Sequence, residues 1–196
     1  MKYKNNIGEV SRMNKVLLVV DYQNDFVTGA LGFPKAGTLY EGIYEKVKKC
    51  AGEGYKIIFT QDTHTENYLN TQEGKLLPVP HCVKGTEGWE LYGELSNMPD
   101  SILKVCTFLH KNTFGSDQLL ATLQELQANH LGSIETVELC GVVTNMCVVS
   151  NAVICKSALP EAEIIIHRDL CASFDEDLHE KAIDVMASMQ MTIVGE

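Results

Sequence analysis

The chain has 196 residues, 45% apolar and 21% charged, which suffices for one globular domain with a full core and excludes disorder as its main state. Sixteen basic against 26 acidic residues leave a formal charge of −10, which repels phosphate backbones and anionic headgroups, so neither nucleic acid nor a membrane surface is an expected partner. The longest aliphatic run, Val16 to Val20, falls far short of a bilayer span. Residues 1–14 lack the apolar stretch of a secretory signal and read as a tail ahead of a domain over 15–196. Seven cysteines, an odd number with no C-x-x-C pair, fit a reducing cytoplasm.

Short β-branched runs alternate with helical patterns, which predicts an α/β fold with a mainly parallel sheet covered by helices on both faces. The first strand, from Lys15 to Val20, ends at Asp21. Leu39, Ile43, Val47 and Cys50 then recur at helical spacing behind Thr38 as cap, with Gly52 or Gly54 as the left-handed stop. Strand two covers Tyr55 to Thr60. Residues 61–101 form a long polar loop with a short helix near Trp89 to Leu95, and loops of that length are often functional. Strand three lies around Leu103 to Leu109. Ser116 caps a helix ending near Gly132, and strand four is Thr136 to Gly141. A helix from about Met146 to Ala158, a strand from Glu163 to His167, a helix from Glu176 to Met189 and a strand from Met191 to Val194 complete the pattern.

In such sheets ligands collect beyond the carboxyl ends of the strands, where the strand order reverses. Those ends carry Asp21, Asp62 with His64, Lys111, and Val142 to Cys147. Cys147 falls at a helix start, where free amides and the dipole favour a thiolate, and the Gly141 to Asn145 turn can aim amides at an oxyanion. Asp21 is the better placed base, and Lys111 a cation for the thiolate. Taken singly, each has an ordinary role: a small buried hydrophobe, a turn residue, a solvated lysine.

Taken together, Val-Val-Asp21-Tyr-Gln-Asn-Asp-Phe26, Phe108-Leu-His-Lys111-Asn-Thr-Phe-Gly-Ser116 and Gly141-Val-Val-Thr-Asn-Met-Cys147 resemble the isochorismatase-like cysteine hydrolases over about residues 15–170. The resemblance implies a three-layer sandwich around a six-stranded mainly parallel sheet. It also implies a catalytic triad of Asp21, Lys111 and Cys147, a cis Val142–Val143 peptide, and an oxyanion hole from the amides of Val143 and Cys147. Relatives are commonly dimers or larger, which makes a homo-oligomer the expectation.

Asp62-x-His64 puts two ligand types on one side of an extended segment, and Glu73 and His81 follow in the same loop. Such a set suits Zn²⁺ and also accepts Fe²⁺ or Mn²⁺. Asn67 or Asn70 is an alternative to Glu73, although a carboxylate neutralises the ion better. The loop resembles that of the nicotinamidase branch, where a divalent ion is bound. By that resemblance the ion holds a pyridine nitrogen, Phe26 stacks on the ring, and the reaction is hydrolysis of nicotinamide through a thioester. One departure is plain: many nicotinamidases carry Trp before the last metal histidine, where this chain reads Leu76-Leu-Pro-Val-Pro-His81 and has its one tryptophan at Trp89.

With the ion balanced by Asp62 and Glu73, and Lys111 by Asp21, little positive charge is left for a dianion, so a small neutral amide is the expected substrate. Alternatives are another small amide or carbamoyl compound, or a binding module without chemistry. His110 beside Lys111 is a candidate lining residue, and His130, His167 and His179 read as surface groups. With no glycine loop for phosphates, no nucleotide cofactor is implied.

Overall fold

A computed structural model describes residues 14–128 and 133–196. Residues 1–13 of the expected tail, His130 and the expected helix end near Gly132 lie outside the described residues. Six strands, β1 (Lys15–Val20), β2 (Lys56–Asp62), β3 (Cys106–Lys111), β4 (Thr136–Val142), β5 (Glu163–Ala172) and β6 (Thr192–Val194), form one sheet in the order β3-β2-β1-β4-β5-β6. Every pairing is parallel, so the sheet is wholly rather than mainly parallel.

Among the described residues the α-helices are α1 (Asn24–Val27), α2 (Pro34–Thr38), α3 (Tyr40–Gly52), α4 (Gln72–Leu76), α5 (Asp100–Leu103), α6 (Leu119–Leu126), α7 (Val149–Ala158) and α8 (Glu176–Ser188). β1 is buried on both sides, and alternate residues feed two cores. Val16, Leu18 and Val20 pack with Leu119 and Leu123 of α6, Ala152 and Cys155 of α7, and Ile183 and Met186 of α8. Leu17 and Val19 face Ile43, Val47 and Cys50 of α3. The chain is therefore a three-layer α/β sandwich.

Several element boundaries differ from those the local pattern predicts. Thr38 does not cap α3: Pro34 starts α2 at its first turn, and the Thr38 hydroxyl closes that helix by donating to the Lys35 carbonyl (2.7 Å). Leu103 ends α5 and β3 starts only at Cys106. β2 runs on to Asp62, which pairs in register with Lys111 of β3. Near Trp89 the predicted helix is two 3₁₀ turns, Glu87–Trp89 and Gly93–Asn97. β5 continues to Ala172, with a register shift against β4 between Leu139 and Gly141. The Asp175 cap of α8 accepts from Leu178 N–H (3.1 Å).

The strand order reverses between β1 and β4, and there Gly141 has φ +120°. A Cβ at that position would strike the Val20 carbonyl of β1, so only glycine lets the strands meet. Gly141→Ala is expected to destabilise by about 2 kcal/mol or more, lowering the unfolding midpoint by roughly 4–8 °C in a thermal melt.

On the α3 side, Glu138 of β4 is buried with three partners. Tyr55 donates to Oε1 (2.7 Å), His167 Nε2 lies 2.7 Å from Oε2, and Lys46 of α3 pairs with the same oxygen. His167 is thus half-buried and paired, not a surface group. Burial opposes ionisation of Glu138, but the bonds from His167, Lys46 and Tyr55 hold its carboxyl below the ordinary range. Such a depressed carboxyl stabilises the fold above the unfolded value of about 4.3, and the benefit is lost as pH falls through the folded value. Glu138→Gln is expected to cost roughly 2–4 kcal/mol at pH 7 in denaturant melts, with the gap to wild type closing below about pH 4.

Candidate active site

The carboxyl ends of β1, β2, β3 and β4 bring Asp21, Asp62, Lys111 and Cys147 to one point. Asp21 is fully buried and takes a left-handed backbone, φ 47°, which aspartate tolerates better than most residues. Thr60 of β2 holds it there: its carbonyl accepts from Asp21 N–H (3.1 Å) and its hydroxyl donates to Oδ1 (2.7 Å). Lys111 Nζ lies 2.6 Å from Asp21 Oδ2, 3.4 Å from Asp62 Oδ1 and 3.6 Å from Cys147 Sγ. Burial disfavours the ammonium, yet the charges of Asp21, Cys147 and Asp62 keep the Lys111 pKa above its ordinary value. For Asp21, burial outweighs the attraction of Lys111 and raises the pKa.

Cys147 differs from its local expectation in two ways. It sits in a π-helical turn, Thr144–Val148, ahead of α7 rather than in the first turn of an α-helix. Its pKa is not lowered: burial, then the adjacent Asp21 carboxylate, push the thiol well above the usual range, against the pull of Lys111. Burial and the Asp21 carboxylate thus favour the thiol over the thiolate. The Val142–Val143 peptide just before the turn is cis. Asn151 of α7 ties the turn to the β3–α6 loop, its Nδ2 donating to the carbonyls of Cys147 (2.8 Å) and Phe114 (3.1 Å) while Oδ1 accepts from Ser116 N–H (2.9 Å).

Beside this cluster, Asp62, His64 and His81 place ligand atoms within 4.8 Å of one another. His64 Nε2 is 3.0 Å and His81 Nε2 3.2 Å from Asp62 Oδ2, and Glu73 Oε1 lies 3.8 and 3.9 Å from the same two nitrogens. A tetrahedral shell with bonds of about 2.0–2.1 Å has edges of roughly 3.3 Å, so this set is of the right size. His81 Nδ1–H is given to the Val79 carbonyl (2.8 Å), which aims Nε2 at the carboxylate. Burial works against a proton on that ring, but Asp62 and Val79 outweigh it and raise the pKa, so the position favours positive charge. Burial also opposes charge on Asp62, yet His64, His81 and Lys111 hold its carboxyl below the ordinary range. The donor set fits a divalent cation. Asn67 and Asn70 are exposed and bonded to each other (2.6 Å).

Between Cys147 and the Asp62–His81 loop lies a cavity of about 200 Å³ whose walls include Phe26, Leu31, Phe114, Met146 and Phe174, with Cys147, Val143, Asp62, Glu73 and His81 also on its surface. Phe26 meets the His81 ring edge-on at 5.6 Å. His110 lies against Trp89, and the indole N–H of Trp89 bonds the Thr63 hydroxyl (2.9 Å); neither residue lines the cavity. Local motifs missed Thr60, Asn151 and Gln23. The Gln23 amide accepts from Asp62 N–H (2.8 Å) and donates to the carbonyls of Asp62 (2.9 Å) and Trp89 (2.8 Å). The neighbouring Asp21-x-Gln23 spacing was one available signal. Phe114 and Phe174, large apolar residues left half-exposed in polar loops, were another.

The isochorismatase domain matches residues 15–195. An uncharacterised isochorismatase family protein, PncA of Bacillus subtilis, is 31% identical over 186 residues, covering 90% of this chain and 96% of the relative. The crystal structure of the B. subtilis nicotinamidase PncA superposes with a TM-score of 0.81 at 29% identity, over 93% of this chain and 100% of that one. A pyrazinamidase of Pyrococcus horikoshii solved in complex with zinc gives 0.77 at 26% identity, over 93% and 99%. With fold, motifs and nearly the whole length in agreement, the chain belongs to the isochorismatase family.

Proposed function

We propose that the protein is an amidase that hydrolyses nicotinamide to nicotinate and ammonia through a thioester on Cys147. The observation that carries this reading is the meeting of Asp21, Lys111 and Cys147 beside an apolar cavity that Cys147 lines and on whose surface Asp62, Glu73 and His81 also stand. Nicotinamidases of Saccharomyces cerevisiae (31% identity over 108 residues, 41% of this chain) and Acinetobacter baylyi (26%, 90% of this chain) are among the relatives, which supports the same substrate class. An apolar, charge-balanced cavity favours a neutral aromatic amide over an organic dianion.

Asp21, its pKa raised by burial, takes the proton of the Cys147 thiol, and Lys111 balances the sulfur's charge. The sulfur attacks the carboxamide carbon, and the amides of Val143 and Cys147 donate to the oxygen that gains the electron pair. Asp21 then protonates the nitrogen, the C–N bond breaks and ammonia leaves. Water, deprotonated by Asp21, attacks the thioester; the C–S bond breaks and the thiol is restored with nicotinate. Phe26 packs against the ring and excludes water. Asp62, His64, Glu73 and His81 would hold a divalent ion, Zn²⁺ in our reading, which supplies a Lewis-acid anchor for the ring nitrogen. The scattered free cysteines support a reducing compartment.

Cys147→Ala is expected to lower kcat/KM for ammonia release from nicotinamide on the order of 10⁴-fold or more; turnover retained near the wild-type rate would remove the thioester. Purified protein is expected to carry a stoichiometric divalent ion by elemental analysis. His64→Ala and His81→Ala should lose it, and chelator should abolish activity until metal is restored. Full activity without metal would exclude the loop from the reaction.

A further inference from the structure

Among the described residues, His179 is the one buried histidine outside the Asp62–His81 loop, and the reaction described above does not use it. It projects from α8 onto the turn that carries the nucleophile, where its Nδ1 lies 2.8 Å from the hydroxyl of the fully buried Thr144. Thr144 directly follows the cis Val142–Val143 bond and opens the π-helical turn whose fourth residue is Cys147. The next residue is held from the same side, the Ser173 hydroxyl donating to Asn145 Oδ1 (2.6 Å).

We infer that His179 is a positioning residue, which fixes Thr144 and through it the backbone that presents the Val143 amide and the Cys147 sulfur to the substrate. The inference rests on the amidase reading. Burial lowers the pKa of the ring, which stays neutral at pH 7. Its Nε2 lies 3.9 Å from Glu180 Oε1, beyond hydrogen-bond range, so Thr144 is the ring's hydrogen-bond partner, and a neutral ring protonated at Nε2 accepts from its hydroxyl. On the far side of Thr144, the Val143 carbonyl accepts from Met146 N–H (3.0 Å) and Val148 N–H (3.2 Å). The Val143–Thr144 peptide is thus held at its carbonyl by the turn and at the next side chain by α8. A threonine whose hydroxyl lost that partner would turn toward nearby backbone groups, and displacements of about 1 Å at reacting groups cost on the order of 10²-fold in rate. A purely structural histidine would instead alter stability without a selective effect on the chemical step.

The test uses the metal-loaded enzyme and the variants His179→Leu, His179→Asn, Thr144→Val and the double variant His179→Leu with Thr144→Val. Turnover of nicotinamide is read with the alkylation rate of Cys147 by iodoacetamide, and thermal melts confirm folding. Loss of the bond in His179→Leu or Thr144→Val should lower kcat roughly 10- to 100-fold with KM within about twofold. The double variant should be no worse than the poorer single variant, and His179→Asn, which keeps an acceptor near the Nδ1 position, should recover most of the rate. Alkylation should slow and recover in the same order. Wild-type kcat in Thr144→Val, a rise in KM in place of the fall in kcat, or an Asn variant no better than Leu at equal melting temperature would overturn the inference. If His179→Leu does not fold, the near-isosteric Thr144→Val decides alone. If wild type is inert toward nicotinamide, the substrate reading fails, and alkylation still settles the clamp: slowed in Leu and Val but not in Asn upholds it, and equal rates refute it.

Discussion

A buried ammonium ion organises the site. Lys111 lies almost wholly out of water, and removing an ion from water costs several kcal/mol even after the protein relaxes. The charge is tolerable because Asp21 stands at 2.6 Å and Asp62 at 3.4 Å, where attraction in a low-dielectric interior is strong. The same neighbours set the state of Cys147. Burial and the two neighbouring carboxylates disfavour a further anion on the sulfur, and one ammonium does not reverse this, so the thiol pKa is raised beside a carboxyl whose own pKa is raised. A resting pair of this kind is suited to passing one proton back and forth rather than to storing a thiolate.

Asp62 joins this cluster to the candidate metal ligands His64 and His81. Its Oδ1 faces Lys111 while Oδ2 faces the ring nitrogens of His64 and His81. One carboxylate therefore serves two cationic environments, and its orientation is set by the Gln23 amide on its backbone. Charge on either side of Asp62 is felt on the other, which couples the donor set to the triad electrostatically. The cavity beside them is lined largely by aromatic and aliphatic side chains.

Topology explains why groups from four strands can meet. A parallel sheet sends all its carboxyl ends to one edge, and the reversal between β1 and β4 opens the crevice in which Asp21 and Cys147 face each other. Gly141 makes the approach of those strands sterically feasible. α8 packs against the turn within the core they share and delivers His179 to Thr144. The scaffold and the site therefore share residues.

The amino-acid sequence by itself determined the alternation of strands and helices, the motifs around Asp21, Lys111 and Cys147, and the candidate ligands Asp62, His64, Glu73 and His81. These follow from periodicity and local patterns, which act over a few residues. Thr60, Asn151 and His179 were not legible, because each acts through one contact to a residue distant in the chain or on another element. His179 sits on a helix whose apolar stripe is readable while the surface it abuts is not. The state of Cys147 reversed for the same reason: a helix start favours a thiolate locally, but burial and neighbouring carboxylates dominate, and both exist only once separate strands are packed. Charge interactions and hydrogen bonds depend on distance in space, and only the tertiary structure sets that distance.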